Sequence, residues 1–537
     1  MTQINRREFL VASTQAVALA SGIGTETAKS RVGVVQSTHS RLSRPASLED
    51  PLDYPRVREM VWQAIEYGRP RAGSLEAKIR PGSWVVIKPN IVYLRPQPGY
   101  RTGDVTDFRV TRAVLEYVAQ RTRAGRITIA EGGSYRSLCD GANDNVVRQN
   151  GVHVDALTFD WGAEEFPGVG GTLGDLVREF AGKFPGRWFD YIDLSYDAVR
   201  ARSGAFRRVK TPRAANGVGA FSRRPDYFVT NTVRNCDFLI TVPVMKIHLD
   251  CGITACFKSY VGTAPREAYA TPGAFWNVNL HAEHSVEGRI DPFIVDLAAF
   301  HPPDYNVVDG IRGLQYQEHN IDRKDQMLRN NLVLAGEDAV ATDAVVAHLM
   351  GFNPWDMEFL HMAAQRGLGT MDWEKIDPIG DDPDRARCPW GKPKGWFGRC
   401  NREWLVTSDS PRVEVLHARC TTPTDTLRFT QYLKAPPTPE TSYTATARVF
   451  AAGHRQAFLW AGVHGHVTAW LNGERVMEEE NLTRYRIGQF QKPVELQPAE
   501  NILVFRVKAA SGEPRLSALL VGPRNDGDTV DGIRWST

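Results

Sequence analysis

Residues 237–262 read DFLITVPVMKIHLDCGITACFKSYVG and decide the fold expected for the first part of the chain. The apolar run from Phe238 to Val244 is typical of a buried strand, and Lys246 and His248 follow it closely. Lys258 comes ten residues after His248. Open α/β sheets form ligand sites where buried strands end in polar side chains. The segment therefore predicts a parallel sheet with a site at its carboxyl edge.

The composition is that of a globular protein with two or three domains. The chain has 537 residues, 42% of them hydrophobic, and a net charge of +3, which gives no indication of a nucleic-acid partner. Its seven cysteines are widely spaced. This spacing indicates neither a disulfide framework nor the ligands of an iron–sulfur cluster, so we expect no such cluster.

The first thirty residues resemble an export signal. Arg6 and Arg7 precede Phe9-Leu10 and a mildly apolar stretch that ends near Ala20. Paired arginines before a weak apolar region are typical of the twin-arginine pathway, which carries folded proteins. The stretch is too short and too polar for a stable membrane span. We therefore predict a twin-arginine signal peptide over 1–30, a periplasmic or secreted location, and the twin-arginine machinery as a partner.

Two patterns of hydrophobicity divide the remaining chain. From 31 to 390, apolar runs such as Trp84–Pro89 alternate with helical periodicity such as that of Tyr54–Tyr67. This alternation predicts an α/β domain with a doubly wound, mainly parallel sheet. Residues 158–226 interrupt the order and are interpreted as an insertion over the sheet. A stretch rich in glycine, proline and tryptophan at 391–402 is predicted to be a linker.

The C-terminal part, 403–537, has a different periodicity. Apolar residues alternate with period two, as in Val467-Thr468-Ala469-Trp470-Leu471, and Asn472-Gly473 is a strong hairpin signal. Several strands without helices predict an all-β jelly-roll sandwich. The run from Trp460 to Val504 resembles the galactose-binding-like modules appended to secreted glycosidases. That resemblance implies either sugar binding or a structural role for this module.

Polar residues close other predicted strands of the first domain. Lys88 and Asn90 end one strand, Glu131 and Gly132 end the next, and Asp309 ends a third, while Asp343 lies early in a helix. Each residue by itself is equally consistent with a turn or a helix-terminal charge. Together, they predict one cleft at the carboxyl edge of the sheet.

The chemistry expected of this cleft centres on Lys258, His248 and Lys246 as candidate catalytic residues. Two neighbouring lysines lower each other's basicity, which favours proton transfer, although the pair could instead clamp an anion. Histidine serves as a general acid or base, or as a metal ligand. The candidate substrate- or anion-binding residues are Lys88, Asn90, Glu131, Gly132 and Thr254. The candidate ligands for a divalent metal are Asp309, Asp343, His281 and His284.

These motifs carry a family resemblance. IKPN at 87–90, AEGG at 130–133, VDGI at 308–311, LAGEDAVATDAVVAHLMGF at 334–352 and the stretch 237–262 resemble the family called domain of unknown function 362, over about 31–380. Some members of that family carry ferredoxin-type cysteine motifs, which this chain lacks. His248, Lys258 and Gly262 are also similar to a signature of the lactate racemase family. There, the lysine tethers a nickel-pincer nucleotide and histidines bind metal or move protons.

Three functions are consistent with these observations. The first is an exported enzyme that acts on a carbohydrate, hydroxy acid or related anionic substrate by proton transfer. The second is a racemase-, epimerase- or redox-type enzyme with a nickel cofactor. The third is a non-catalytic protein that binds a glycan or an anion.

Overall fold

The computed structural model describes residues 28–91, 103–132, 171–269, 278–286, 289–318, 324–354, 357–391, 400–409, 415–422, 425–434, 441–482, 485, 487–510, 512–525, 530 and 532–536, together with the backbone of short strand pieces within 147–159. Residues 1–27, most of the predicted linker and Gly133 lie outside these ranges.

The alternating apolar runs of the first part form one eight-stranded sheet. Several short strands pair outside this sheet; one such pair is the hairpin of Lys246–His248 and Gly252–Thr254, and another joins Arg208–Lys210 to Asp226–Phe228. In chain order the strands are β1 (Ser30–Gln36), β2 (Trp84–Pro89), β3 (Arg126–Glu131), β4 (Trp188–Asp193), β5 (Phe238–Val242), β6 (Lys246–His248), β7 (Gly252–Thr254), β8 (Tyr305–Leu314), β9 (Met327–Gly336) and β10 (Ile376–Gly380), of which β6 and β7 are the hairpin.

The strand order of the sheet is β10-β1-β9-β8-β5-β2-β3-β4. Within this described sheet, β9 alone runs antiparallel to its neighbours. The carboxyl ends of β5, β2 and β3 therefore lie at the same edge. The prediction of a mainly parallel sheet is confirmed.

Helices cover both faces of this sheet. They are α1 (Tyr54–Tyr67), α2 (Phe108–Arg121), α3 (Leu173–Lys183), α4 (Val278–His284), α5 (Asp291–Ala298), α6 (Ala339–Leu349) and α7 (Glu358–Gln365), with shorter turns at Leu75–Lys78, Asn231–Asn235, Arg266–Tyr269 and Pro383–Ala386. Successive strand residues point to opposite faces. Accordingly, Leu239 packs into the cluster that contains α5, α6 and α7, whereas Ile240 packs into the cluster that contains α1, α2 and α3.

The interpretation of 158–226 as an insertion over the sheet is wrong for part of that segment. Residues 173–193 form α3 and β4, and β4 pairs in parallel with β3 as the edge strand. The strand reads WFDYID, and its acidic residues hide its apolar character. Asp190 is tolerated in this strand because the guanidinium of Arg126 on β3 lies 2.5 Å from its carboxylate.

The C-terminal part is a curled antiparallel sheet of ten strands with its own hydrophobic cluster. The strands are β11 (Glu403–Ser408), β12 (His417–Thr421), β13 (Leu427–Arg428), β14 (Ser442–Ala451), β15 (Arg455–Leu471), β16 (Glu474–Asn481), β17 (Phe490–Leu496), β18 (Ala499–Lys508), β19 (Arg515–Val521) and β20 (Ile533–Ser536), and the short helix is Phe429–Leu433. The jelly-roll topology itself stays a prediction.

The predicted hairpin at Asn472-Gly473 is present between β15 and β16. Both turn residues have positive φ, 53° and 87°, the conformation that makes Asn-Gly the preferred pair in a two-residue hairpin. Strand β15 is long because its first half pairs with β17 and β19, and its second half pairs with β16 and β18. This change of partners curls the sheet.

Among the described residues, no helix has the length and apolar character needed to cross a membrane.

Candidate functional site

The hairpin of β6 and β7 places three of the predicted site residues on one face. Lys246 pairs with Thr254 and His248 pairs with Gly252 across the two strands. Because side chains alternate along a strand and cross-strand partners share a face, Lys246, His248 and Thr254 point to the same side. Ile247 and Ile253 point to the other side and are fully buried in the core. Burial of these two isoleucines therefore fixes the direction of the polar face.

Lys246 and His248 each have an acidic neighbour that sequence reasoning missed. Lys246 Nζ donates to the carbonyl oxygen of Asp104 at 2.6 Å and lies 3.1 Å from its Oδ1. His248 Nε2 lies 3.5 Å from Glu318 Oε1, and its Nδ1 accepts the backbone N–H of Asp250 at 3.1 Å. An accepting Nδ1 places the proton of a neutral ring on Nε2, facing Glu318. His248 is thus oriented to present a proton toward this side of the site.

Lys258 is the first residue of a short 3₁₀ helix, Lys258–Thr263, and is partly exposed. No hydrogen bond or ion pair joins its ammonium to any other residue in the described part of the chain. Burial, followed by the positive charge of Lys246, lowers the pKa of Lys258, while Cys251, Glu318 and Asp250 act in the opposite direction. The mutual influence expected for the two lysines is therefore present for Lys258.

Asp343 supports the turn that carries Lys258. Its Oδ1 accepts the backbone N–H of Cys256 at 2.8 Å, and its Oδ2 accepts that of Phe257 at 3.2 Å. Burial raises the pKa of Asp343 to about 6. Both carboxylate oxygens are occupied by backbone groups, so this residue is placed as a support of the Lys258 turn rather than as a ligand.

Lys88 and Glu131 form a buried ion pair of their own. Lys88 Nζ lies 3.0 Å from Glu131 Oε1 and 3.2 Å from Ser259 Oγ, and both charged side chains are at most 2% exposed. The backbone N–H groups of Gly132 and Ile91 complete the coordination of the carboxylate. Burial lowers the pKa of Lys88 and raises that of Glu131, and the attraction between them opposes both shifts. The pair therefore joins β2, β3 and the 3₁₀ helix. The ammonium of Lys88 donates to groups of the protein itself, namely Glu131, Ser259 and the carbonyl oxygen of Pro89.

Asn90 and Asp309 lie along the same sheet edge. Asn90 Nδ2 is 3.5 Å from the carbonyl oxygen of Asp104, the atom that also accepts from Lys246. The carboxylate of Asp309 accepts the backbone N–H groups of Asp107 at 2.7 Å and Ile311 at 3.0 Å. Burial, followed by the charge of Asp107, raises the pKa of Asp309 to about 7. Asn90 therefore lies beside Lys246, and Asp309 holds the loop that contains Asp107.

The two histidines predicted as metal ligands have different surroundings. His281 packs edge-on against Phe293, and burial followed by the charge of Lys258 lowers its pKa to about 4. His284 stacks on Tyr227 and faces the carbonyl oxygen of Arg224 and the hydroxyl of Tyr269 through its two ring nitrogens. Only His281 therefore belongs to the neighbourhood of Lys258.

The predicted metal set Asp309, Asp343, His281 and His284 is not assembled. The structure contains no group of three or more His, Cys, Asp or Glu side chains able to hold a metal ion, within the ranges that it describes. We refer below to Lys258, Lys246, His248, Thr254, Asp104, Asp250, Glu318 and His281 as the Lys258 site. Of these, Asp104, Asp250 and Glu318 were not predicted. Asp309 was expected to end a strand, but β8 continues past it to Leu314. Glu318 follows the actual end of β8, whereas Asp104 lies in a loop and had no such signal.

Comparison with known proteins gives limited matches. A profile of the family described as "Domain of unknown function (DUF362)" matches residues 206–348, a range that includes Lys246, His248 and Lys258. No curated protein matches the chain.

Several solved structures are weakly similar to parts of the chain. Lactate racemase apoprotein from Thermoanaerobacterium thermosaccharolyticum has 13% identity over 52% of this chain and 52% of its own, with a TM-score of 0.25. Beta-glucosidase from Kluyveromyces marxianus in complex with glucose has 15% identity over 23% and 16%, with a TM-score of 0.18. An anti-sigma factor domain-containing protein from Clostridium clariflavum has 8% identity over 23% and 42%, with a TM-score of 0.18. The chain spans about half or less of the length of each of these proteins.

Proposed function

We propose that the chain is an exported enzyme that transfers a proton on a hydroxy acid or a related anionic carbohydrate, with Lys258 as the proton acceptor and His248 as its partner. The observation that carries this proposal is the contrast among three lysines. Lys88 and Lys246 each face a carboxylate, whereas Lys258 has no such contact in the described ranges. Placing an ammonium in a mostly enclosed position without an acidic partner is unfavourable, so a purely structural role does not explain it.

The lowered pKa of Lys258 suits a proton acceptor. A lysine near its ordinary pKa is almost fully protonated at neutral pH, and burial together with Lys246 increases the fraction present as the free amine. Once the amine has taken a proton, an anionic group of the substrate would supply the counter-charge. The imidazole of His248, with its Nε2 proton directed into the site, is positioned to donate to a substrate oxygen.

The expected substrate class follows from the same charges. A bound carboxylate next to Lys258 would raise the pKa of the ammonium and remove the cost of its burial. The buried Thr254 hydroxyl lies on the same face of the hairpin and makes no hydrogen bond within the described residues, so it is available to a hydroxyl or carboxylate oxygen. A small molecule with adjacent hydroxyl and carboxylate groups meets both requirements.

Ligand binding and isotope exchange test this proposal. Calorimetric titration with glycolate, malate and galacturonate should show binding to the wild type and loss of at least tenfold in affinity for Lys258→Met. Lys375→Met is the matched control, since Lys375 is 63% exposed and its ion pair is with Asp372 on its own turn. Incubation of bound acids in D₂O should place deuterium on the carbon next to the carboxylate, where proton removal is stabilised by that group.

The outcomes separate the candidate functions. Binding without deuterium incorporation would indicate an anion-binding protein instead of an enzyme. Equal affinity of the wild type and Lys258→Met for every acid tested would contradict the proposal. Elemental analysis of protein purified from its native host addresses the nickel alternative, because a nickel enzyme would contain the metal in stoichiometric amount.

We also propose that the C-terminal module binds a sugar. A groove of about 730 Å³ lies between β15, β16 and β17, and Phe458, Asn472, Glu474, Glu495 and Gln497 are among its lining residues. An aromatic ring beside amide and carboxylate groups matches the apolar face and the hydroxyls of a sugar. A glycan array with the full chain should detect binding that Phe458→Ala abolishes, and no signal from any glycan would contradict this part of the proposal.

A further inference from the structure

Five charged side chains meet where the C-terminal module contacts the first part of the chain. Arg289, Asp291 and Glu358 belong to the first part. Arg402 is the last residue of the predicted linker and directly precedes β11, the first strand of the module, and Asp425 belongs to the module. Arg402 is 2% exposed, and Asp291 and Glu358 are fully buried. Burying a charge costs free energy unless an opposite charge pairs with it. The charges at this junction are therefore satisfied only when the two parts pack together. We call this group the junction cluster.

One contact in the junction cluster, between Arg402 and Glu358, joins the C-terminal side to the first part. Arg402 Nη2 lies 3.1 Å from Glu358 Oε2 and also donates to Oδ1 of Asp425. Arg289 Nε lies 3.6 Å from Asp291 Oδ2 and 3.7 Å from Glu358 Oε2. Two guanidinium groups, those of Arg289 and Arg402, therefore balance the negative charge of three carboxylates. Without Arg402, Glu358 and Asp291 would share the single charge of Arg289.

Arg289 connects the junction cluster to the Lys258 site. Arg289 Nη2 donates to the carbonyl oxygen of Asp250. Asp250 lies in the turn between β6 and β7, and its backbone N–H donates to His248. The carboxylate of Asp250 is one of the charges that act on Lys258. A continuous set of polar contacts thus runs from Arg402 through Glu358 and Arg289 to the turn beside Lys258.

We infer that the C-terminal module is an integral part of the Lys258 site, with Arg402 as a positioning residue that acts through Glu358 and Arg289 on the Asp250 turn. This inference rests on the proposed function of that site. It differs from the usual role of an appended sugar-binding module, which is tethered by a linker and leaves catalysis to the other domain. Here, the module orders a turn that borders the reacting groups.

The titration of Lys258 tests the coupling without a ligand. Reductive methylation with ¹³C-formaldehyde labels the lysines of the full chain, and the signal missing from Lys258→Arg assigns Lys258. The charged and titratable groups that face it are Lys246, Cys251, Asp250, Glu318 and His281. In Arg402→Met, movement of the Asp250 turn should shift the Lys258 midpoint by about half a pH unit or more, and Arg402→Lys should restore part of the shift.

A matched control separates coupling from general destabilisation. Val449→Ala removes buried volume from the module core without touching the junction cluster, so the Lys258 midpoint should stay at the wild-type value. A folded Arg402→Met protein whose midpoint equals that of the wild type would overturn the inference. If Arg402→Met does not fold, Asp425→Asn provides the same test, because it frees Arg402 to turn toward Glu358, and an unchanged midpoint would again overturn it.

The two proposals fail in different ways. If no acid binds to the wild type but Arg402→Met shifts the Lys258 titration, the proposed function is wrong and the coupling is real. If acids bind through Lys258 but neither the titration nor the affinity responds to Arg402→Met or Asp425→Asn, the function stands and the role of the module is wrong.

Discussion

The Cα atom of Gly262 lies against the carboxylate of Glu131. A Cβ atom built on Gly262 would be 2.0 Å from Glu131 Oε1, and 3.0 Å from Lys88 Nζ. The 3₁₀ helix that begins with Lys258 therefore rests directly on the buried Lys88–Glu131 ion pair, and a residue without a side chain is needed at the contact. This contact determines how closely the helix packs against the edge of the sheet.

Replacement of Gly262 by alanine should disrupt this contact. The added methyl group has no space unless the ion pair or the helix moves, and disturbing a buried ion pair is costly, so we expect a loss of about 3 kcal/mol in the free energy of unfolding. Urea denaturation measures the loss. Gly182→Ala is the control, because Gly182 is an exposed position of α3 with open space around its Cβ position, and alanine there should be neutral or stabilising by up to ~1 kcal/mol. Equal effects of the two substitutions would contradict the role of Gly262.

Lys258→Met should increase stability at neutral pH. The folded state lowers the pKa of Lys258 from 10.5, so the unfolded chain holds more protons in the window between the two pKa values. Stability of the wild type therefore rises with pH through that window, and below it the charged ammonium is a cost. The variant lacks this cost and should be more stable than the wild type at pH 7. The difference should shrink as the pH approaches 10.5. Denaturant titrations at pH 7 and pH 10 check this, and a constant difference would contradict it.

Asp343→Asn should change the pH dependence of stability at acid pH. Burial raises the pKa of Asp343 from 3.8 to about 6, so the folded state binds the extra proton between these values. The stabilisation is complete below pH 3.8 and is lost as the pH rises through 6. Relative to the variant, the wild type should lose about 2–3 kcal/mol between pH 4 and pH 7. Asp175→Asn on the surface of α3, where the side chain is 55% exposed, should show no such trend.

Export should depend on the paired arginines. Arg6 and Arg7 precede a weakly apolar run, the pattern of a twin-arginine signal. Replacing both with lysine should leave the protein in the cytoplasm, as measured by cell fractionation and immunoblotting. Continued export of the double variant at the wild-type level would show that another signal directs it.

Local patterns were sufficient to predict the elements of the first part. The helix Tyr54–Tyr67 and the strand Trp84–Pro89 have their predicted bounds, because each is a long run with one clear periodicity. Strand β4 was missed because its apolar residues alternate with aspartates, and Arg126 and Thr128 on the neighbouring strand make Asp190 acceptable within a sheet. Prediction therefore failed where a residue on a neighbouring strand determined whether the segment forms a strand.

The candidate site was predictable in part. Lys246, His248 and Thr254 share a face because the two isoleucines beside them must be buried, and that requirement is local. The acidic partner of Lys246 lies 142 residues away in the chain, in a loop without a recognisable motif. Sequence reasoning placed Lys88 and Asp343 in the same cleft, whereas the structure gives them partners of their own.

The sequence by itself determined the alternation of strands and helices in most of the first part, the all-β character of the C-terminal part and the hairpin at Asn472-Gly473. These features follow from hydrophobic periodicity and turn residues, which act over a few neighbouring positions. Only the tertiary structure decided that Lys88 and Lys246 face carboxylates, and that Lys258 meets no partner within the described ranges. The reason is physical: the free energy of a charge depends on the groups within a few ångströms of it, and long-range packing brings those groups there.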